Sequence, residues 1–215
     1  MKNTTLLVAA LALLILNPPV AFSAKDKEKD AAADEGPLTL EKVSLEGLSF
    51  RSIGPAITGG RIIDIEVNPS DHSEYYVASG HGSLWKTVNR GTTFSPIFDA
   101  QSSHSIGAVT LDPSNPNVVW VGTGENNAHS YLVPGDGVYR SADGGKSWKK
   151  MGLEDSQQIG EIVVHPEDSN TVWVAAYGPH RQSGGDRGVY KTTDGGKSWT
   201  NVLRPSDHTG CWELH

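Results

Sequence analysis

"GVYRSADGGKSW" (Gly137–Trp148) returns as "GVYKTTDGGKSW" (Gly188–Trp199). A weaker copy of the second half, "TVNRGTTF", occupies Thr87–Phe94. Asn89, Asp143 and Asp194 therefore lie 54 and then 51 residues apart, a period that marks a repeat architecture. Three prolines align the rest of each unit. Pro69, Pro113 and Pro166 are preceded at −7, −4 and −2 by Ile62/Ile65/Val67, Ile106/Val109/Leu111 and Ile159/Ile162/Val164. They are followed by Tyr75-Tyr76-Val77, Val119-Trp120-Val121 and Val172-Trp173-Val174, then by Trp85-Lys86, Tyr139-Arg140 and Tyr190-Lys191.

Each unit reads as a short apolar strand, a proline turn, an aromatic and β-branched strand, a loop, a third strand, a glycine-rich turn and a fourth strand. Four short strands in about 50 residues are the signature of a β-propeller blade. The expected fold is all-β: an incomplete propeller of three four-stranded blades plus the start of a fourth. The blades fall at about 56–100, 104–153 and 157–203, with the next beginning over 207–215, where "TGCWELH" matches the start of a first strand. Further blades, in cis or from another chain, are then needed for closure.

Composition agrees. Twenty-four glycines and 12 prolines make the 215-residue chain turn-rich. A net charge of −7 lacks the basic footprint of a nucleic-acid binder. At the N-terminus, Lys2, the apolar run Leu6–Leu16 and small residues at Ala21 and Ser23 read as a signal peptide over 1–23. That run is too short to span a bilayer, so export to the periplasm or medium is expected, with no membrane span after cleavage. Residues 24–37 are charged and aperiodic and read as a disordered spacer, leaving 38–215 as the partial propeller. A lone cysteine, Cys211, excludes an intramolecular disulfide; its repeat position is that of an inner-strand residue, expected to be buried and inert.

The Asp of the repeated turn invites reading as a catalytic acid or a calcium ligand. Turn chemistry explains it better: Asp accepts bonds from nearby amides, and the glycines supply positive φ. In the first copy Asn89 keeps the acceptor oxygen but not the charge, and Phe94 keeps the bulk of Trp148 and Trp199. "DGGK" also lacks the alternating oxygen ligands of a calcium loop. Asn89, Phe94, Asp143, Trp148, Asp194 and Trp199 are accordingly read as structural, with each Trp packing between blades.

This turn resembles the Asp-box, or BNR repeat, of sialidases, sortilin-type receptors and xyloglucanase-type glycoside hydrolases. "RSIGPAITGGRI" (Arg51–Ile62), "LWKTVNRGTTF" (Leu84–Phe94) and "IGEIVVHPEDSNTVWVAA" (Ile159–Ala176) resemble exported bacterial BNR-repeat glycosyl hydrolase-like proteins with a sortilin-like N-terminal propeller. The resemblance spans about Leu48 to the end and speaks to fold more than to activity, since one fold hosts many functions.

Strand alternation puts the proline and glycine-rich turns on one rim and the loops between second and third strands on the other. Those loops are "SGHGS" (Ser79–Ser83), "TGENNAHSYLVPGDG" (Thr123–Gly137) and "AYGPHRQSGGDRG" (Ala176–Gly188). Their rim gathers Arg61, His81, His104, Glu125, Asn126, Asn127, His129, His180, Arg181 and His208. Long loops on a rigid face commonly carry binding or catalysis, although loop tips are polar in any case. No two of these histidines show ligand spacing along one element, so no metal is expected, and no motif implies a cofactor.

The leading functional expectation is an exported module that binds a peptide or glycan through this rim. The alternative is a glycoside hydrolase, xyloglucanase-type or sialidase-like, whose catalytic set lies partly outside the chain. A hydrolase needs two carboxylates about the scissile bond. The resemblance to xyloglucanases implies a first catalytic Asp in a "TDVGG"-like turn after the second strand, where this chain has Gly80; Glu125 is a weak substitute. The sialidase resemblance rests on "FRSIGP" (Phe50–Pro55), a stretched "FRIP", and implies Arg51 or Arg61 as one member of a carboxylate-gripping triad. Without a complete acid pair or triad, these residues alone are expected to be inactive.

Overall fold

The computed structural model describes residues 60–126 and 132–214. The expected signal peptide and spacer, the "FRSIGP" stretch with Arg51, and Asn127, His129 and His215 lie outside the described residues.

Among the described residues twelve strands form three antiparallel four-stranded sheets. Sheet 1 holds β1 (Ile62–Val67), β2 (Tyr75–Ser79), β3 (Ser83–Thr87) and β4 (Ser95–Pro96). Sheet 2 holds β5 (Ile106–Asp112), β6 (Asn115–Thr123), β7 (Val138–Ser141) and β8 (Lys149–Lys150). Sheet 3 holds β9 (Ile159–His165), β10 (Asp168–Ala176), β11 (Gly188–Thr192) and β12 (Thr200–Leu203). Within each sheet sequence neighbours pair, as consecutive hairpins require. The fourth strands of sheets 1 and 2 are only two residues long. Beyond them the pairing continues through Ile97 N–H to Leu84 O in sheet 1, and through Met151 N–H to Val138 O and Val138 N–H to Gly152 O in sheet 2. A short 3-10 turn, Glu154–Ser156, links sheets 2 and 3.

Side-chain alternation explains the stacking. In sheet 2, Val109, Leu111, Val119, Val121 and Tyr139 face sheet 1, where they bury Tyr76, Leu84 and Phe98. Ala108, Val118, Trp120 and Val138 face sheet 3, against Ile159, Ile162, Val172 and Val174. With both faces covered, the middle sheet reads as nearly continuous apolar runs. The outward faces of sheets 1 and 3 instead leave Ile62, Ile65, Phe94, Val202 and Leu203 exposed.

Three small devices repeat. A third-strand cation lies over the second-strand aromatic directly opposite: Lys86 on Tyr76, Arg140 on Trp120 and Lys191 on Trp173, at 5.0, 5.6 and 4.9 Å. The tryptophan after the second and third glycine-rich turns reaches back to the preceding sheet. Trp148 Nε1 donates to Ile97 O at 2.7 Å, and Trp199 Nε1 to Met151 O at 2.6 Å. Inner strands are also stitched, since Asp64 and Glu66 accept from the amides of Val109 and Leu111. Residues 210–214 run beside β9 without forming a strand: Cys211 N–H donates to Ala176 O and Leu214 N–H to Glu161 Oε2. Cys211 is consequently half-buried and outside any strand, which corrects its reading as a buried inner-strand residue. A single backbone anchor does not draw its side chain into a core.

Candidate functional site

The sheet order sets two unlike rims. Connections β1–β2 and β3–β4, with their equivalents, close one rim; β2–β3, β6–β7 and β10–β11 open onto the other.

On the first rim the glycine-rich turns bond their own acceptor side chains. Asp143 Oδ1 accepts from the amides of Lys146 and Ser147 at 3.0 and 2.9 Å and from the Ser141 hydroxyl at 2.7 Å, while Oδ2 takes the Ser147 hydroxyl at 2.6 Å. Asp194 repeats this with Lys197, Ser198 and Thr192. The hydroxyls of Ser147 and Ser141, with the Ser147 amide, hold the Asp143 carboxyl well below the usual carboxylate range. Those of Ser198 and Thr192 do the same for Asp194. Asn89 makes the neutral version: its Oδ1 accepts from Thr93 N–H at 2.9 Å and its Nδ2 donates to Thr93 Oγ1 at 2.9 Å. Phe94 packs edge-on against Tyr75 of its own sheet and stays half-exposed.

The second rim brings together three of the expected residues. Glu125, from the β6–β7 loop, is buried, with its side chain 1% exposed between Arg61 and His81 of sheet 1. Arg61 Nη2 pairs with Oε1, and His81 Nε2 lies 3.0 Å from Oε2, though not aligned as a hydrogen bond. The Ser105 hydroxyl anchors the Glu125 amide at 2.9 Å. A β-carbon at position 80 would lie 3.1 Å from Glu125 Cδ and Oε1, so this carboxyl fills the space that a side chain on Gly80 would enter. Asn126 is occupied otherwise. Its Nδ2 donates to Gly107 O and Gly160 O, both at 2.9 Å, tying inner strands β5 and β9 together. The His104 side chain stands exposed, and its carbonyl accepts from Ser83 N–H.

The β10–β11 loop builds a separate, open pocket of about 730 Å³. Arg181 and His208 line it and are exposed. His180 turns away; its ring stacks on Tyr177 with centroids 6.3 Å apart, and both ring nitrogens are buried. Two residues that sequence reasoning missed matter here and next door. Arg187 is 3% exposed, and its guanidinium donates to the carbonyls of Tyr177, Pro179, Gln182 and Gly184, folding the loop around itself. Asp136 accepts from Ser102, Tyr139 and Lys150; although burial opposes ionisation, these bonds hold its carboxyl below the usual range. Neither stood out in a polar loop, because the signal of a buried charge is its partners.

Among the described residues no group of three or more His, Cys, Asp or Glu converges as a metal site, and no helix is long and apolar enough to cross a membrane.

No protein-family model matches the chain. Among curated proteins it is similar to the "Probable oligoxyloglucan-reducing end-specific xyloglucanase" of Neosartorya fischeri, 26% identical over 156 residues, which cover 64% of this chain and 17% of that protein. It is likewise 26% identical over 183 residues to a xyloglucanase of a Paenibacillus species, covering 80% of this chain and 16% of that protein. Among solved structures, an ancestral GH74 enzyme superposes with a TM-score of 0.52 at 22% identity, over 69% of this chain and 19% of that one, a likeness of fold. The chain is thus similar to β-propeller, glycosyl hydrolase-like proteins, and it spans about a sixth of the length of the curated relatives it matches.

Proposed function

We propose that the chain forms part of an exported Asp-box propeller that binds a glycan on the rim of the β2–β3, β6–β7 and β10–β11 loops. One observation carries this reading: the two rims differ in what they leave for a ligand. On the turn rim, Asp143 and Asp194 spend their acceptor capacity within their own turns. The loop rim presents Arg61 and His81 around a buried carboxylate and, separately, an open pocket at the β10–β11 loop. That matches the usual division between a rigid scaffold and functional loops. Similarity to xyloglucanases favours a glycan over a polypeptide as the ligand. In the same reading 1–23 is a cleaved signal, 24–37 a spacer, and the exposed faces of sheets 1 and 3 are covered by further blades.

A second reading, hydrolysis, is favoured by the placement of Glu125 against Gly80. It requires a proton donor and a base or nucleophile on either side of a glycosidic bond. Glu125 is buried and paired with Arg61, and Asp136 is bonded to Ser102, Tyr139 and Lys150, so each carboxyl is already engaged. Binding without turnover is therefore the expected behaviour. Calorimetric titration of the full chain with xyloglucan oligosaccharides, with reducing-end release followed in parallel, tests this. Release of reducing ends overturns the binding-only reading, and failure of every glycan tried to bind overturns the glycan reading.

A further inference from the structure

The β10–β11 pocket departs from the electrostatics of the rest of the chain. The protein carries a formal net charge of −7, with 25 acidic against 18 basic residues. Yet the pocket is lined by Arg181, Arg187 and His208, together with Tyr177 and uncharged neighbours, and by no Asp or Glu. Arg187 is the buried centre of this arrangement. Its donors end on backbone carbonyls, and no carboxylate among the described residues neutralises it. Carbonyl dipoles solvate a guanidinium without cancelling its charge, so a positive field persists at the pocket wall, where lowered dielectric strengthens it.

The loop is built to keep that charge in place. Gly178 has φ +84°, and a β-carbon there would lie 2.3 Å from Arg187 Cγ, so only glycine lets the arginine lie flat under the loop. Gly184 N–H bonds Asp207 O at 2.8 Å, fastening the loop to the segment that carries His208. Arg181 stands at the mouth with φ +61°, its side chain exposed and free of any ion pair among the described residues. Arg187 has little donor capacity left, so it supplies field. Arg181 supplies the fork that can grip a carboxylate in two bonds. Tyr177, steadied by His180 at 6.3 Å and edge-on to Trp212 at 5.2 Å, adds an aromatic surface in the same lining.

Resting on the glycan reading above, we infer that this pocket takes the carboxylate of a uronic acid residue in an acidic glycan. Arg181 binds the carboxylate, Arg187 provides the fixed positive background, and Tyr177 meets the sugar ring. The pocket volume lies within the range usual for small-ligand sites, about 300–1,000 Å³.

The test compares oligogalacturonides with their methyl-esterified counterparts of equal length, titrated into the full chain at low and high salt. The acidic oligomer is expected to bind about tenfold tighter at low salt, with the preference shrinking as salt rises. Arg181→Asn, which suits a left-handed backbone and deletes the charge, is expected to abolish the preference with unchanged thermal unfolding, and Arg181→Lys to restore part of it. Equal binding of acid and ester overturns the inference while leaving the glycan reading intact. Binding of neither, nor of xyloglucan oligosaccharides, removes the glycan reading itself. A preference that survives Arg181→Asn, or tighter binding of a peptide C-terminal carboxylate than of any oligogalacturonide, also overturns the assignment.

Discussion

The indole Nε1 of Trp148 donates to the carbonyl of Ile97 at 2.7 Å, across the seam between sheets 1 and 2. The ring also meets Phe98 edge-on at 5.0 Å, so one side chain supplies both a bond and apolar cover. Trp148→Phe keeps the cover and is expected to cost about 1 kcal/mol, the worth of one hydrogen bond. Trp148→Ala is expected to cost about 3–5 kcal/mol. Urea denaturation of both variants separates the two contributions. Equal losses would mean that the bond dominates the seam.

The turn carboxylates give stability a definite pH dependence. Asp143 and Asp194 are held below their ordinary value of 3.8 by hydroxyl and amide donors. A depressed carboxyl contributes stability that is complete above its unfolded value and lost as pH falls through its folded one. The chain already carries the neutral counterpart of this turn at Asn89, which keeps the amide bond from Thr93. Asp143→Asn is therefore expected to lower the unfolding midpoint only slightly at neutral pH. The gap between wild type and variant should then close as pH falls below about 4. A gap that stays constant down to pH ~2 would contradict the assignment.

Gly122 faces the next sheet at a distance that tolerates no side chain. A β-carbon there would stand 2.3 Å from Ile159 Cγ2 and 2.6 Å from its Cβ, in a fully buried seam. Gly122→Ala is expected to destabilise by about 1–3 kcal/mol through overpacking, and to cost less in an Ile159→Ala background, where the clash with Cγ2 is gone and only that with Cβ remains. Thermal unfolding of the two single variants and the double variant reads the coupling directly.

Arg61 matters because Glu125 has no solvent to fall back on. Arg61→Ala leaves a carboxyl of 1% side-chain exposure facing His81 alone, and a loss of about 1–3 kcal/mol is expected from the unpaired group. Arg61→Ala with Glu125→Gln removes the charge as well and should be less damaging than the single change. If the double variant is the worse of the two, the pair is not what holds this part of the rim.

The repeat made most of the strands legible, because Pro turns, β-branched runs and glycine-rich turns recur in one order and alternate with period two. Three four-stranded sheets followed from Pro69, Pro113 and Pro166. Element ends were less legible: Ser95–Pro96 and Lys149–Lys150 are too short and polar to announce themselves as strands. The rim was visible only as a set of loops. Glu125 drew notice as an acid, but its pairing with Arg61, 64 residues earlier, depends on how one sheet leans on the next. His180 and Arg181 adjoin in sequence and part in space, one stacked on Tyr177 and the other at the pocket mouth. Arg187 passed unnoticed because its partners are main-chain carbonyls, which carry no sequence signal.

The reach of each tryptophan onto the sheet before it has a consequence for how the molecule comes apart. Trp199 leans on Met151 as Trp148 leans on Ile97, so sheet 2 is both a support and a supported unit. Such a stack behaves as a short linear chain of coupled units, each stabilised by nearest neighbours. Loss of one sheet then uncovers the seam of the next, so opening passes from seam to seam. Amide protons of Val109, Val119 and Val121, buried in such a seam, are expected to exchange more slowly than those of the exposed Val202 and Leu203. What one tryptophan releases, its neighbour must bear.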